Sequence, residues 1–298
     1  MSKPLDSTST QKPIVAGVDG STNNLPATMW AFAEGARSGL PVKLLTVTEQ
    51  TEIRTPGFAK EPTSFNYVDY AYGSLEQVAT RAGREYPDVE VSTDVIVDDA
   101  LGGLVDKSSE ASMVVVGKRG IGAIERMTLG SVSIALSGRS AVPTVVVPDD
   151  WDADVHRGQS ILVGLDLHHD ADPLLEFAFT RAQELGVPLV VLHVWDTHPA
   201  IVPGHEDLTR WSDEARAVVE SKIAPWKAKF PEVDALAMAV HARTADGLLD
   251  EAAAAQLLVL GRHTRGHSPA GLGLRSVTRT VMHYGNLPIA VVPTVATD

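Results

Sequence analysis

Residues 114–133 read VVVGKRGIGAIERMTLGSVS, in which Gly117, Gly120 and Gly130–Ser131 fall in the spacing G-x2-G-x9-G-S. A β-branched run leads into the glycines and a helical pattern follows them. Glycine has no Cβ, so Gly117 and Gly120 let the backbone approach phosphate oxygens closely. Gly130 and Ser131 open the helix, where unpaired N–H groups and the dipole attract an anion. Ser131 and Ser133 add hydroxyl donors. Lys118 and Arg119 put two cations in the loop, and Arg119 either makes charge-assisted contacts or stays solvated. The chemistry indicated is phosphate binding. The alternative is a glycine-rich connection required only for packing.

The elements that must position this loop occur twice. Ile14–Ser21 (IVAGVDGS) matches Ile161–His168 (ILVGLDLH), and an offset of 147 also carries Pro26 onto Pro173, Phe32 onto Phe179 and Gly39 onto Gly186. Later the offset is 145, where LGSVS (129–133) meets LRSVT (274–278) and PTVVVP (143–148) meets PIAVVP (288–293). A period this long is a duplicated domain, since stacked repeats run about 20–50 residues. The chain of 298 residues also suits two domains of roughly 150. The expected layout is a polar tail over 1–13, a first domain over 14–148, a linker over 149–159 and a second domain over 160–298.

Strands are predicted at 14–18, 42–48, 89–96, 113–117 and 143–147, and again at 160–165, 188–194, 234–241, 257–261 and 288–292. Helices lie between them; Asp172 caps one, Pro173 suits its first turn and Gly186 its stop. The order βαβαβαβαβ implies an α/β fold, a five-stranded parallel sheet with helices on both faces. Ligands in such sheets bind beyond the carboxyl ends of the strands at the switch point. The two copy-ending strands would be exposed apolar edges unless they cover each other, which predicts an internal pseudo-dimer. The alternative is that each is covered by helices of its own copy.

Composition narrows the functions. Cysteine is absent, which excludes disulfides, thiolate nucleophiles and Cys-ligated metals. Net charge is −13, and neither half carries the basic stripe that nucleic acid or an anionic membrane demands. No run approaches about 18 apolar residues, and the start lacks a signal-peptide core, so a cytoplasmic location is expected. No G-x-x-x-x-G-K-[ST] loop or G-x-S-x-G elbow occurs. All ten histidines follow residue 150, leaving Asp19, Asp98, Asp99 and Glu125 as carboxylates in the first copy that could act as bases. None is singled out, so no catalytic residue is assigned. The histidines fall in separate segments without metal-binding spacing, so no metal ligand is assigned either.

The glycine pattern resembles the ATP-binding signature of the universal stress protein family, and the resemblance covers nearly the whole chain as two tandem copies. It implies an adenine nucleotide alpha hydrolase-like, Rossmann-like domain in each copy, paired through the last strands. It implies ATP, with Mg²⁺ on the phosphates, and a regulatory role in stress or dormancy exerted through an unidentified protein partner. It puts Asp19 beside the adenosine, Gly17, Val18 and Ser21 around the nucleotide, and Val47 near the base. Val116, Gly117, Arg119 and Gly120, with Gly130, Ser131, Val132 and Ser133, would surround the phosphates and ribose. Val97 falls beside adenine, although VIVDDALGG departs there from the family's small residue and turn, and Asp98 and Asp99 would repel phosphates unless they point outward. The second copy departs further: His168 stands for Ser21, Thr264 for Gly120 and Arg275 for Gly130, so ATP is expected mainly in the first. A homodimer is left open. Two rival readings are a nucleotide-free interaction module and a slow ATP hydrolase.

Overall fold

Ten short apolar runs become ten strands. The structure, a computed structural model, describes residues 11–20, 25–48, 67–120, 129–197, 204–264 and 276–295. The first copy contributes Ile14–Gly17 (β1), Val42–Thr48 (β2), Val91–Val97 (β3), Met113–Gly117 (β4) and Thr144–Val147 (β5). The second contributes Ser160–Gly164 (β6), Leu189–Trp195 (β7), Ala235–His241 (β8), Ala255–Thr264 (β9) and Ile289–Val295 (β10). The helices are Leu25–Ser38 (α1), Tyr67–Glu85 (α2), Ala100–Ser108 (α3) and Ser131–Arg139 (α4), then Asp172–Leu185 (α5), His205–Lys229 (α6), Thr244–Ala252 (α7) and Ser276–Tyr284 (α8).

Among the described residues the strands form one ten-stranded sheet, ordered β3-β2-β1-β4-β5-β10-β9-β6-β7-β8. Each half is parallel, and the halves meet antiparallel, with Thr144, Val145 and Val146 opposite Val291, Ala290 and Ile289. The copy-ending strands therefore cover each other, which removes two apolar edges at once. The expected pseudo-dimer is the observed architecture. Strand β10 runs three residues past the predicted end, through Pro293 to Val295, paired with Arg262–Thr264 of a longer β9. Pro293 is tolerated there because it lies beyond the three residues that pair with β5.

One core covers each face of the sheet, and both cores cross the boundary between copies. On one face Ile14, Ala16, Val145 and Val147 join Ile161, Val163, Ala290 and Val292 beneath α1, α2, α5 and α6. On the other, Val15, Val146, Leu162, Leu258 and Val291 pack with Leu104, Leu136, Leu248 and Met282. Consecutive residues of one strand thus feed opposite cores, as a pleat dictates. Fully burying a Leu, Ile or Phe here contributes about 1.5–3 kcal/mol, so the two copies share their main source of stability. None of the described helices is long and apolar enough to cross a membrane.

Helix punctuation repeats with the sequence. Gly39 and Gly186 follow α1 and α5 with φ of 70° and 63°, the left-handed turn where glycine avoids a Cβ penalty. At the start of α5 the predicted cap shifts by one residue. Ala171 holds the cap position with Pro173 in the first turn, and Asp170 accepts from the Asp172 N–H at 3.0 Å.

Candidate functional site

The order of each half reverses between its first and fourth strands, so the crevice opens where β1 and β4 diverge. In the first copy it is a cavity of ≈ 360 Å³. Its walls carry Gly17, Val18, Asp19, Val47, Val116, Gly117, Arg119, Gly120, Gly130, Ser131, Val132 and Ser133. Twelve expected site residues are brought together there. Ser21 lies outside the described residues, as does Glu125.

Each strand end is held by short-range bonds. The Val18 N–H donates to the Leu45 carbonyl at 2.8 Å, and the buried Thr46 hydroxyl donates to the Val18 carbonyl at 2.8 Å. These bonds fix the backbone on which Asp19 stands. Gly120 lies directly against the Asp19 carboxylate, so any Cβ there would collide with Oδ2. Gly130 is the cap residue of α4, and no side chain caps that helix. A Cβ on Gly130 would stand 3.3 Å from the Lys118 carbonyl oxygen. The Gly130 N–H donates to that same oxygen at 2.8 Å, and the buried Ser133 hydroxyl donates to Gly117 O at 2.7 Å. Ser133 therefore braces the loop against α4, while Ser131 is exposed at the helix start.

Both cations of the loop are engaged. Arg119 lines the cavity but forms an ion pair through Nε with Asp149. Lys118 points to the other copy, donating to the Gly285 carbonyl at 2.8 Å. Burial pushes its pKa down, against the opposing pull of Asp149 and Asp150.

Val97 departs from expectation. It ends an edge strand, is 51% exposed and is not among the cavity walls. Ala100 and Leu104 take that place, one helical turn apart on α3. Asp99 is the cap of α3, accepting from the Leu101 and Gly102 N–H groups, and Asp98 accepts from the Asp99 N–H at 2.7 Å. Both are exposed, clear of the cavity wall. Leu45 and Leu129 complete the apolar lining. Gly103 lets α3 seat on the sheet, since its Cβ would be 2.9 Å from Val47 Cγ1.

The second copy has an equivalent cavity of ≈ 390 Å³ with different walls. Gly164, Val194, Leu248, Leu260, Gly261 and Thr278 stand for Gly17, Val47, Leu104, Val116, Gly117 and Ser133. Gly247 repeats Gly103, its Cβ position 2.9 Å from Val194 Cγ1. Where Thr46 supports Val18, His193 Nδ1 meets the Leu165 carbonyl at 3.0 Å; a carbonyl only accepts, so Nδ1 carries the proton. Asp166 is clasped by its own loop: it accepts from the His168 N–H at 3.0 Å, and its Oδ2 lies 2.9 Å from His169 Nδ1. Trp195, Asp196 and Thr244 also enter the wall. Thr264, the counterpart of Gly120, closes β9 as paired strand. Arg275, the counterpart of Gly130, lies outside the described residues. Among the described residues no cluster of three or more His, Asp or Glu side chains is placed to hold a metal.

Comparison with known proteins agrees with this architecture. The profile of the universal stress protein family matches residues 11–148 and 158–293. A universal stress protein of Mycolicibacterium smegmatis is 31% identical over 287 residues, covering 95% of this chain and 97% of that one. One from Mycobacterium tuberculosis is 31% identical over 302 residues, covering 98% and 99%. Among solved structures, a universal stress protein from Archaeoglobus fulgidus superposes with a TM-score of 0.66 at 18% identity, covering 95% of this chain and 97% of that one.

Proposed function

The chain belongs to the universal stress protein family, and from that premise we propose that its first copy binds ATP as a regulatory ligand. The domains on this reading are 14–148 and 160–298, with 149–159 as linker. The observation that carries it is the cradle at Gly120 and Gly130, where a Cβ would fill the space beside Asp19 and Lys118 O. A phosphate chain would lie there: α4 begins with glycine and no capping side chain, which leaves its first N–H groups and dipole for an anion. Asp19 would accept from ribose hydroxyls or the adenine amine. Val47, Leu45, Leu104 and Val116 supply an apolar wall for the base, and Mg²⁺ would travel on the phosphates. ATP supplies the occupancy signal; the chain's residues bind and orient it, and a protein partner would read the result.

The test is nucleotide analysis of acid-extracted purified protein, followed by calorimetry of wild type and Gly130→Arg. The reading expects ATP in the extract and binding that the substitution abolishes. Absence of binding to wild-type protein would favour an interaction module, and accumulation of ADP would favour a slow hydrolase.

A further inference from the structure

The seam between the copies extends beyond β5 and β10 to helices α1 and α5, which occupy equivalent places 147 residues apart. Their facing charges are inverted. Helix α1 carries Glu34 and Arg37; at the same positions α5 carries Arg181 and Glu184. Arg181 Nη1 pairs with Glu34, and the two side chains are 4% and 6% exposed. Arg37 pairs with Glu184 at 2.8 Å and with Glu34 on its own helix. Burial opposes the charge on Arg37, and Glu34 and Glu184 outweigh it, leaving its pKa raised. The Arg181 guanidinium also lies 6.0 Å from the Trp30 ring centre and 5.3 Å from that of Phe177. Those two rings are again equivalent positions of the two copies.

The pseudo-twofold axis of the pair passes here, so these positions meet their own equivalents: Glu34 meets Arg181 and Arg37 meets Glu184. Between two first copies the same contact would bring Glu34 to Glu34 and Arg37 to Arg37; between two second copies, Arg181 to Arg181. Like charges in a nearly dry contact are strongly unfavourable, because neither solvent nor a partner compensates them. Nothing else described at the seam discriminates in this way. The β5–β10 pairing carries no charge on either side. The cross-copy bonds from Lys118 to Gly285 O and from Arg262 to Ser140 O use cations in both copies.

We propose that the Glu34, Arg37, Arg181 and Glu184 quartet is a pairing code: the α1 face accepts only an α5 face and rejects a second α1 face. The partner it fits is the complementary copy, from the same chain or, by exchange, from another chain. Discrimination of this kind comes from the repulsive alternative as much as from the attractive pair.

Three full-length variants test it: Glu34→Arg with Arg37→Glu, Arg181→Glu with Glu184→Arg, and all four changes together. Limited proteolysis across 149–159 and light scattering are the readouts. Each double variant is expected to be cleaved about a hundredfold faster than wild type, following the population of the open form. The quadruple variant, its code inverted but complementary, is expected to regain wild-type protection and molar mass. Double variants that behave like wild type overturn the proposal. So does a quadruple variant as loose as the doubles, because the residues would then matter for packing and not for sign. If a double variant does not accumulate as folded protein, the quadruple still decides by the same criterion.

Discussion

The two crevices share a backbone and differ in part of their lining. Gly17 and Gly164, Val47 and Val194, Gly103 and Gly247 repeat the same contacts, so duplication preserved the way α3 and α7 seat on the sheet. The strand-one carboxylate diverged in its surroundings. Asp19 lies against Gly120, whereas Asp166 is tied to His168 and His169 of its own loop. The contacts that seat the helices are thus repeated in both copies, while the surroundings of the strand-one carboxylate are not.

The largest expected difference comes from Gly130→Arg, which gives the first copy the residue found at the equivalent position of the second. ATP affinity should fall about 100-fold or more, roughly 2.7 kcal/mol, in calorimetry. The melting temperature should fall only slightly, because φ at Gly130 is −72°, open to any residue, and the added Cβ asks the Lys118 carbonyl, 3.3 Å away, to shift by a few tenths of an ångström at most. Next, Gly103→Ala and Gly247→Ala should each cost about 1–3 kcal/mol in denaturant unfolding by overpacking. Only Gly103→Ala should also weaken ATP, by about tenfold, so equal effects on binding would break the comparison. Thr46→Val should cost about 1 kcal/mol of stability by leaving the Val18 carbonyl without its buried donor. Smallest is Arg119→Gln, expected to lower ATP affinity by about threefold or less, since the guanidinium it removes is already paired with Asp149. A much larger loss would place the Arg119 guanidinium on the phosphates.

Much of this was legible in the chain. Strands stood out because β-branched runs buried on both faces leave continuous apolar stretches, and Gly117, Gly120 and Gly130 marked the loop by spacing alone. The resemblance puts Val97 beside the base, whereas β3 is an edge strand and Ala100 and Leu104 of α3 line the cavity instead. Leu104 could have been found: once Asp99 is read as a cap, Ala100 and Leu104 fall on one helical face. The Arg119–Asp149 pair could not, since it joins residues 30 apart whose meeting depends on how β4 and β5 end. The inverted charges of α1 and α5 stand at matching positions of the repeat, but their meaning needs the antiparallel β5–β10 contact that sets them face to face.

The most direct test is the stoichiometry of ATP binding by calorimetry on nucleotide-free full-length protein. One equivalent per chain, lost in Gly130→Arg, is the result expected if the first crevice alone keeps the cradle. Saturation at two equivalents, or one equivalent that survives Gly130→Arg, would contradict it.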